Sequence, residues 1–303
     1  MPEAIDFSVI IPTCNRPRQL EECLTALAGL DYPSSKFEVI VVDDGGEYPA
    51  EPVAGAFRER LNLVVHRQAP AGPAVARNMG AGTARGQYLV FTDDDCVVSP
   101  EWLKQFALRV HGAPHGIIGG ATVNALPDNV YSTASQALIN YLCDYYTRSP
   151  GEARFLVSGN LLVPADVFRS LGGYDATYPL AAAEDRDFCD RARLRNWAMV
   201  YAREVVVGHR HALGAFSYCK QHVWYGRGAF RFRRLHSSGS KERVRIEPLH
   251  FYSGMLVYPF HQPEIRRPLA VASLLVVSQI ANAAGFFYEW GLHLAFRGKG
   301  AQL

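Results

Sequence analysis

The sequence predicts an α/β protein built on a doubly wound parallel sheet. Over the first hundred residues, short runs rich in β-branched and aromatic residues alternate with helical stretches, which is the pattern of parallel strands joined by crossover helices. The run Val-Ile-Val-Val at 39–42 is apolar throughout, which indicates a sheet covered on both faces. Because ligands in such folds bind outside the carboxyl ends of the strands, the polar residues after each strand are the candidates for function.

The pattern predicts elements along most of the chain. In the first hundred residues the predicted strands are 7–11, 37–42, 61–66 and 87–92, and the predicted helices are 17–29, 49–60 and 73–84. From about residue 101 the alternation loosens, and the predicted elements are a helix at 102–110, a strand at 117–123, a helix at 130–146, a strand at 155–163, a turn at 171–175, a helix at 183–196 and a strand at 205–207. We therefore expect two halves of one domain, 1–100 and 101–215, followed by a helical region at 216–303.

Composition excludes several classes of protein. The 303 residues are 49% hydrophobic and 20% charged with a formal net charge of +2, which excludes a disordered chain and provides no overall positive field for a nucleic-acid partner. The six cysteines show no C-x-x-C spacing, which argues against a zinc cage or a disulfide scaffold. The N-terminus lacks the pattern of a signal peptide and no N-x-S/T sequon occurs, so a cytoplasmic location is expected.

Three consecutive acids, Asp93, Asp94 and Asp95, lie between the apolar runs 88–91 and 96–98. Adjacent carboxylates repel one another and raise each other's pKa unless a cation compensates, and a divalent ion is the usual solution. Mg²⁺ or Mn²⁺ suits such ligands together with phosphate oxygens. The alternative is a solvated turn with one helix cap.

Two further acidic sites have a structural and a functional interpretation each. Asp44 follows the second strand, where an acid accepts hydrogen bonds from a ribose or base or simply forms an Asp-Gly turn; the absence of G-x-G-x-x-G favours a mononucleotide over NAD or FAD. Glu184 and Asp185 open a helix that carries arginines later, so they complement the helix dipole, or Asp185 is a general base beside the apolar face. His209 follows a strand and is a metal ligand or merely hydrogen-bonded.

The order of these motifs resembles family 2 glycosyltransferases over about residues 7–210. The motifs that carry the resemblance are Ile-Ile-Pro-Thr-Cys-Asn-Arg at 10–16, Val-Val-Asp-Asp-Gly-Gly at 41–46, Ala-Arg-Asn-Met-Gly at 76–80, the acidic triplet at 93–95, Gly-Gly-Tyr-Asp at 172–175, Glu-Asp at 184–185 and Val-Gly-His at 207–209. The resemblance implies a GT-A fold and an inverting, metal-dependent transfer of a sugar from a nucleoside-diphosphate donor, with a UDP-sugar expected, to an acceptor hydroxyl.

The resemblance also implies a role for each matching residue. The donor would be bound by Pro12, Thr13, Asn15, Arg16, Asp44, Arg77, Asp93 and Asp94. The metal would be held by Asp95, with Asp93 and His209 as further ligands, and Asp185 would be the base. For the acceptor, the candidates are Glu184, Asn160 and Trp224.

One departure from the family bears on the product. Processive members typically carry Q-x-x-R-W, whereas residues 221–225 read Gln-His-Val-Trp-Tyr and lack the arginine, so a non-processive transfer is expected. A nucleotidyltransferase is the alternative enzyme, although 12–17 offers only Arg16 where a basic phosphate loop would be needed. A catalytically silent module that binds a nucleotide sugar or a membrane is the non-enzymatic alternative.

The C-terminal third contains two unusual stretches. Residues 220–245 hold eight Lys and Arg against one acid, interleaved with aromatic side chains, which fits a clamp on a diphosphate, an anionic membrane surface or a solvated helix face. Residues 269–288 are uncharged over the twenty residues that a bilayer span needs, and fit a buried or dimer-forming helix, an in-plane amphipathic helix or a span. Together they favour peripheral membrane contact at the inner face of the cell membrane and a lipid-linked or polysaccharide-precursor acceptor.

Overall fold

The computed structural model describes residues 4–147, 152–178, 182–236 and 247–299, with side chains up to residue 295 in the last range. The predicted basic stretch at 220–245 therefore lies partly outside the described residues, because Lys241, Glu242, Arg243 and Arg245 are not among them. The described chain falls into two compact units. The first takes in residues within 1–125, 142–179 and 184–211, and the second takes in residues within 126–141, 180–183 and 212–303.

The elements follow the predicted order. The strands are β1 (Phe7–Thr13), β2 (Phe37–Asp43), β3 (Leu63–Arg67), β4 (Tyr88–Thr92), β5 (Cys96–Val98), β6 (Ile117–Asn124), β7 (Asn160–Pro164) and β8 (Met199–His209). The helices are α1 (Pro17–Leu27), α2 (Glu51–Gly55), α3 (Pro73–Thr83), α4 (Trp102–Gly112), α5 (Val130–Tyr145), α6 (Ala165–Leu171), α7 (Glu184–Leu194), α8 (Ala215–His236), α9 (Leu249–Val257) and α10 (Pro268–Lys299).

The first unit is an eight-stranded mixed sheet in the order β3-β2-β1-β4-β7-β6-β8-β5. β1 pairs in parallel with β2 and β4, and β2 pairs in parallel with β3, so the predicted parallel half is confirmed. The second half is mixed, because β7 runs antiparallel to β4 and β6 while β6 and β8 are parallel. The carboxyl ends of β1, β2 and β4 therefore meet at one edge, where the polar residues singled out in the sequence begin.

Alternate residues of β1 pack into different halves of the core. Val9 and Ile11 belong to a cluster that includes Leu24 of α1, whereas Ile10 belongs to a cluster that includes Ala76 of α3. Side chains on a strand alternate between the two faces, so a strand that is apolar at every position needs helices on both sides. The double cover that the sequence predicted is confirmed.

Two predicted elements are shorter than expected. The helix predicted at 49–60 ends after Gly55, and the chain continues in i to i+3 hydrogen bonds such as Phe57 N–H to Ala54 O. The strand predicted at 155–163 begins only at Asn160, because the backbone turns there and Asn160 N–H bonds to Val157 O. The short elements β5, α6 and α9 were not predicted, since each is too brief to show a clear period.

A bulge lies between β6 and β8, upstream of the strand end that carries His209. Gly120 pairs with Ala202, but the next residue, Ala121, pairs with Val206, so β8 carries extra residues there. The amide of Asn160 occupies this irregularity: its Nδ2 donates to Ala121 O and to Val205 O, both at 2.9 Å. Its Oδ1 accepts a hydrogen bond from the Trp102 indole N–H at 3.0 Å. The fully buried Asn160 side chain therefore provides a hydrogen-bond partner for two backbone carbonyls and one indole N–H.

The second unit is helical. α8 and α10 run in the same direction, since Tyr218 Oη donates to Leu274 O near their starts and Arg227 pairs with Glu289 further along. They approach closely at two glycines: a Cβ on Gly226 or on Gly285 would lie within about 2 Å of the facing helix backbone. The contact therefore needs glycine on each helix at this crossing.

Replacing Asn160 by alanine is predicted to destabilise the first unit. The change removes the Asn160 hydrogen bonds to the carbonyls of Ala121 and Val205 and to the buried Trp102 indole N–H, so we expect the free energy of unfolding to fall by about 3 kcal/mol. Urea unfolding measures the loss. Asn62→Ala, at an exposed position, is the matched control and should change it by less than about 0.5 kcal/mol. Equal stability of Asn160→Ala and the unmodified protein would contradict this account of the bulge.

Candidate active site

The acidic triplet lies in the short connection from β4 to β5, at the carboxyl edge of the sheet. Asp94 and Asp95 are buried, whereas the side chain of Asp93 is 32% exposed. Gly159 lies against Asp93, and a Cβ there would come within 3.0 Å of Asp93 Oδ2. Asp93 is therefore the member of the triplet with the most access to a ligand.

Residues from the end of β1 hold the other two acids. Thr13 Oγ1 donates to Asp94 Oδ2 at 2.7 Å. Arg16 Nη1 donates to Asp94 Oδ1 at 3.0 Å and to Asp95 Oδ2 at 3.1 Å. A single guanidinium thus bridges two neighbouring carboxylates, which offsets part of their mutual repulsion.

The two buried acids differ in pKa. Burial raises the pKa of Asp94 to about 6, against the opposing effect of Arg16. Burial also acts to raise the pKa of Asp95, but the hydrogen bond and charge of His209, together with Arg16, hold it well below the ordinary value. Asp95 is therefore the carboxylate that remains ionised and suited to hold a cation.

A cluster at the end of β8 provides candidate metal ligands. Asp95, Cys96 and His209 place ligand atoms within 4.8 Å of one another, and His209 Nε2 lies 3.3 Å from Asp95 Oδ1. Burial raises the pKa of the Cys96 thiol well above its ordinary value, which disfavours the thiolate form that binds a metal. The remaining oxygen and nitrogen donors fit Mn²⁺ better than Mg²⁺, which prefers oxygen alone.

Arg77, on α3, connects the triplet to the start of α7. Its Nη2 donates to Asp93 Oδ1 at 2.6 Å and its Nη1 donates to Glu184 Oε1 at 3.1 Å. Only 3% of its side chain is exposed, and the guanidinium carbon lies 5.7 Å from the centre of the Tyr174 ring. Burial alone would lower the pKa of Arg77, but Asp93 and Glu184 raise it, so the guanidinium stays charged.

The first two residues of α7 have different surroundings. Glu184 is buried against Arg77, whereas Asp185 is half-buried and its Oδ1 accepts the backbone N–H of Arg186 at 2.8 Å. Burial raises the pKa of both carboxyls, and the arginine opposes this effect. A carboxylate with a raised pKa that retains some access is chemically suited to accept a proton.

Asn78 carries a role that the sequence did not assign. Its Nδ2 donates to Tyr174 O at 2.7 Å and its Oδ1 accepts Tyr174 N–H at 2.9 Å. Gly173 before it has a φ of +70°, and a Cβ there would lie 2.6 Å from the Asn78 amide oxygen. These two hydrogen bonds hold the Tyr174 ring over Arg77. The sequence showed the two motifs, at 76–80 and 172–175, but did not indicate that they are in contact.

Other candidate donor residues lie at the same edge with other partners. Asp44 accepts Gln68 Nε2 and the N–H groups of Ala71 and Gly72 at 2.7–2.9 Å, so its carboxylate organises the loop before α3. Asn15 Oδ1 accepts Tyr48 N–H at 3.0 Å. Pro12 is buried within β1 and Thr13 O accepts Asp44 N–H at 2.9 Å, which joins the ends of β1 and β2.

The structure brings together most of the candidate residues at the sheet edge, and the three acceptor candidates differ in their surroundings. Thr13, Arg16, the triplet and His209 are in direct contact, and Arg77 adds the start of α7. Among the acceptor candidates, Asn160 is in the core with its amide fully used, and Glu184 is buried on Arg77. Trp224 is on α8 in the second unit, beneath Lys220 Nζ at 4.8 Å from its ring centre.

Comparisons with known proteins agree with the resemblance. Glycosyltransferase AglE of Haloferax volcanii is 27% identical over 205 residues, which are 67% of this chain and 66% of that protein. The poly(ribitol-phosphate) β-N-acetylglucosaminyltransferase TarS of Staphylococcus aureus is 29% identical over 197 residues, 62% of this chain and 32% of TarS. The chain thus spans just under two thirds of the first relative and about a third of the second.

Solved structures share the fold. A mannosyltransferase from Pyrobaculum calidifontis, solved in complex with GDP-Man and Mn²⁺, matches with a TM-score of 0.61 at 18% identity and covers 97% of this chain and 81% of that one. S. aureus TarS 1–349 matches with a TM-score of 0.56 at 19% identity, over 96% of this chain and 92% of that one. These likenesses confirm the expected GT-A architecture.

The family itself follows from the sequence. Residues 8–171, more than half of the chain, match the model of the family described as Glycosyl transferase family 2. The match contains the ends of β1, β2 and β4 together with the Arg77–Asn78 segment. The chain therefore belongs to glycosyl transferase family 2.

Proposed function

We propose that this protein is an inverting, metal-dependent glycosyltransferase that moves a sugar from a nucleoside-diphosphate sugar to an acceptor hydroxyl without processive elongation. The observation that carries the proposal is the buried Asp93–Arg77–Glu184 bridge, which places the start of α7 beside the acidic triplet. The proposed cation ligands and the proposed base would thereby belong to one site. Such a pair is what a single displacement at an anomeric carbon requires.

The donor would bind along the edge formed by β1, β2 and β4. Pro12, Thr13 and Asn15 lie on the nucleobase side, with Asp44 acting through the loop that it holds, and Asp93 is the exposed acid next to the ribose. A UDP-sugar is the donor we favour, and the UDP-GlcNAc complex of TarS supports that class.

The local charge supports a requirement for metal. Among the described residues, Arg16, Arg77 and His209 pair with four of the five carboxyl groups of Asp93, Asp94, Asp95, Glu184 and Asp185. The anionic diphosphate of a donor would therefore meet an excess of acidic groups. Asp95 and His209 would hold Mn²⁺ or Mg²⁺, with Asp93 proposed as a further ligand, and the ion would neutralise the charge of the diphosphate leaving group. The Mn²⁺ bound in the related mannosyltransferase structure supports this assignment.

Asp185 would act as the general base. The acceptor oxygen attacks the anomeric carbon as its proton passes to the Asp185 carboxylate, and the bond to the diphosphate breaks with its electron pair on the leaving oxygen. Attack from the side opposite the leaving group inverts the anomeric configuration. Arg77 has its side chain buried and touches neither reactant; it positions α7 relative to the triplet.

The remaining assignments are broader. We propose that residues 1–100 bind the donor, that 101–215 complete the catalytic half and that 216–303 contribute a helical region. The acceptor that fits best is a hydroxyl on a lipid-linked or polysaccharide precursor, at the cytoplasmic face of the cell membrane. The basis for that location is the apolar and basic character of the C-terminal helices.

Asp185→Asn is predicted to lower kcat by roughly 10²-fold or more while donor affinity is preserved, because only proton acceptance is removed. Steady-state kinetics together with the dissociation constant of the nucleoside diphosphate measure both quantities. Asp190→Asn on the same helix removes a partly exposed ion pair with Arg193 and is the control, expected to retain activity. Near-normal turnover of Asp185→Asn would exclude it as the base.

A panel of UDP-, GDP- and dTDP-sugars is predicted to raise the melting temperature with at least one member, and to do so only with Mn²⁺ or Mg²⁺ present. Slow hydrolysis of the same donor should follow, and EDTA should abolish both effects. His209→Gln should lower the affinity for Mn²⁺ by about tenfold or more, because it removes the nitrogen donor. Protection that is unchanged by EDTA would rule out metal dependence, and no protection by any donor would favour a silent module.

Arg77→Met is predicted to destabilise the protein by about 3 kcal/mol or more, because Glu184 is left buried without its partner. The double variant Arg77→Met with Glu184→Gln should regain part of this loss but not the activity, since the link to Asp93 stays broken. Urea unfolding and kcat, measured on both variants, separate the two effects. Recovery of activity in the double variant would contradict the positioning role.

A further inference from the structure

The exposed face of α10 is uncharged along almost its whole length. Every exposed residue between 269 and 295 on this helix is uncharged, and apart from one serine all are apolar or glycine. The large members are Leu269, Val276, Val277, Ile280, Phe287, Tyr288, Trp290 and Leu294. At 1.5 Å per residue this contiguous apolar face is about 40 Å long, which makes it a candidate interaction surface.

The polar groups of α10 face the opposite way. Ser278 is fully buried and its Oγ donates to Leu275 O at 2.7 Å. Glu289 pairs with Arg227 of α8 at 2.7 Å, and His293 Nδ1 lies 3.1 Å from Arg234 Nη1. The outward face of α10 is thus apolar, while its buried positions combine apolar residues such as Val271 and Leu275 with these polar groups.

The C-terminal region carries a strong positive charge although the whole chain is near neutral. Residues 212–303 contain twelve Lys and Arg against four Asp and Glu, so the remaining residues, 1–211, contain an excess of acids. Arg266 and Arg267 are exposed immediately before α10 begins, and Arg266 forms a highly exposed ion pair with Asp128. An apolar face bordered by cations is complementary to an anionic membrane, in which charged headgroups cover an apolar interior.

We infer that α10 lies in the plane of an anionic lipid surface, with its outward face inserted among the acyl chains. This inference adds a docking surface and its partner to the proposed transferase, and it does not depend on the chemistry of sugar transfer. The apolar side chains supply the burial, and the arginines contact the lipid phosphates. The surface therefore selects membranes rich in acidic lipids.

The contacts of α10 argue against a bilayer span. One helical stretch among the described residues, Pro268–Ala295, is long and apolar enough to cross a membrane by length and composition. However, Arg227 is paired with Glu289, and Arg233 lies 5.2 Å from the Phe286 ring, so charged residues of α8 are bound along the second half of this stretch. A span would draw them into hydrocarbon, which is costly, whereas an in-plane orientation keeps them on the polar side.

Charge also argues against a second copy as the occupant. Pairing two α10 faces would bring together two regions that each carry the same excess of Lys and Arg. Repulsion between like charges opposes that pairing, while the phosphates of acidic lipids compensate the charge. The anionic membrane is therefore the occupant that both the apolar and the basic features fit.

Flotation of the full chain with vesicles tests the inference. We expect binding to phosphatidylglycerol-containing vesicles to exceed binding to pure phosphatidylcholine by at least about tenfold and to weaken with salt. Val276→Asp with Ile280→Asp should lower binding by about tenfold or more, and Arg266→Gln with Arg267→Gln should do so on anionic vesicles only. Leu108→Asp, at an exposed apolar position on α4, is the matched control and should bind normally.

The depth of the helix distinguishes in-plane binding from a span. The Trp290→Phe protein keeps Trp102, Trp197 and Trp224 and serves as the reference. The fluorescence that Ile280→Trp adds to this reference should be quenched more by lipids brominated near the headgroup than near the chain end. Preferential quenching near the chain end would show a span and overturn the inference. So would the absence of vesicle binding, equal binding by the Val276→Asp, Ile280→Asp variant, or a dimer in sedimentation that this variant abolishes. Sugar-transfer activity of the soluble enzyme is a separate readout, so failure here leaves the proposed function standing.

Discussion

A buried guanidinium is the contact on which the candidate site depends. Arg77 has 3% of its side chain exposed, so its charge needs partners, and those partners are Asp93 from the β4 edge and Glu184 from the start of α7. Two segments far apart in sequence are thereby fixed beside each other. The Tyr174 ring, clamped by Asn78, lies beside the same guanidinium and limits where it can move. The position of Asp185 follows from this bridge, because it is the next residue of the helix.

The pKa of each carboxyl group in the site reflects two opposing effects: burial raises it, and positively charged partners lower it. Asp95, next to His209 and Arg16, stays ionised, whereas burial raises the pKa of its neighbour Asp94 and of Asp185. One carboxylate is thus suited to a cation and another to a proton, although all three are aspartates. The difference lies in their surroundings, as expected when environment sets the role of a carboxyl group.

The sequence predicted the features of the fold that depend on local hydrophobic patterns. The four parallel strands, their double cover and the polar residues at the carboxyl edge follow from hydrophobic periodicity and were confirmed. Asn160 shows the limit: an amide at a strand start looks like a site residue, but a bulge between two strands distant in sequence consumes its hydrogen bonds. Arg77 shows it too, because its burial depends on Glu184, 107 residues further along. Contacts of this kind have no signature in spacing.

The C-terminal helix shows the same limit from the other direction. The uncharged run at 269–288 fits a buried or dimer-forming helix, an in-plane helix and a span, since composition does not report which side faces a partner. The structure separates these by the side on which the polar groups lie: Ser278 and Glu289 face α8, and Ile280 and Phe287 face outward. The polar groups of this helix already have partners within the protein, and contact between its apolar face and water is unfavourable. The free energy of burial is therefore available to a lipid surface, and the charged side of α8 sets how deeply the pair can enter it.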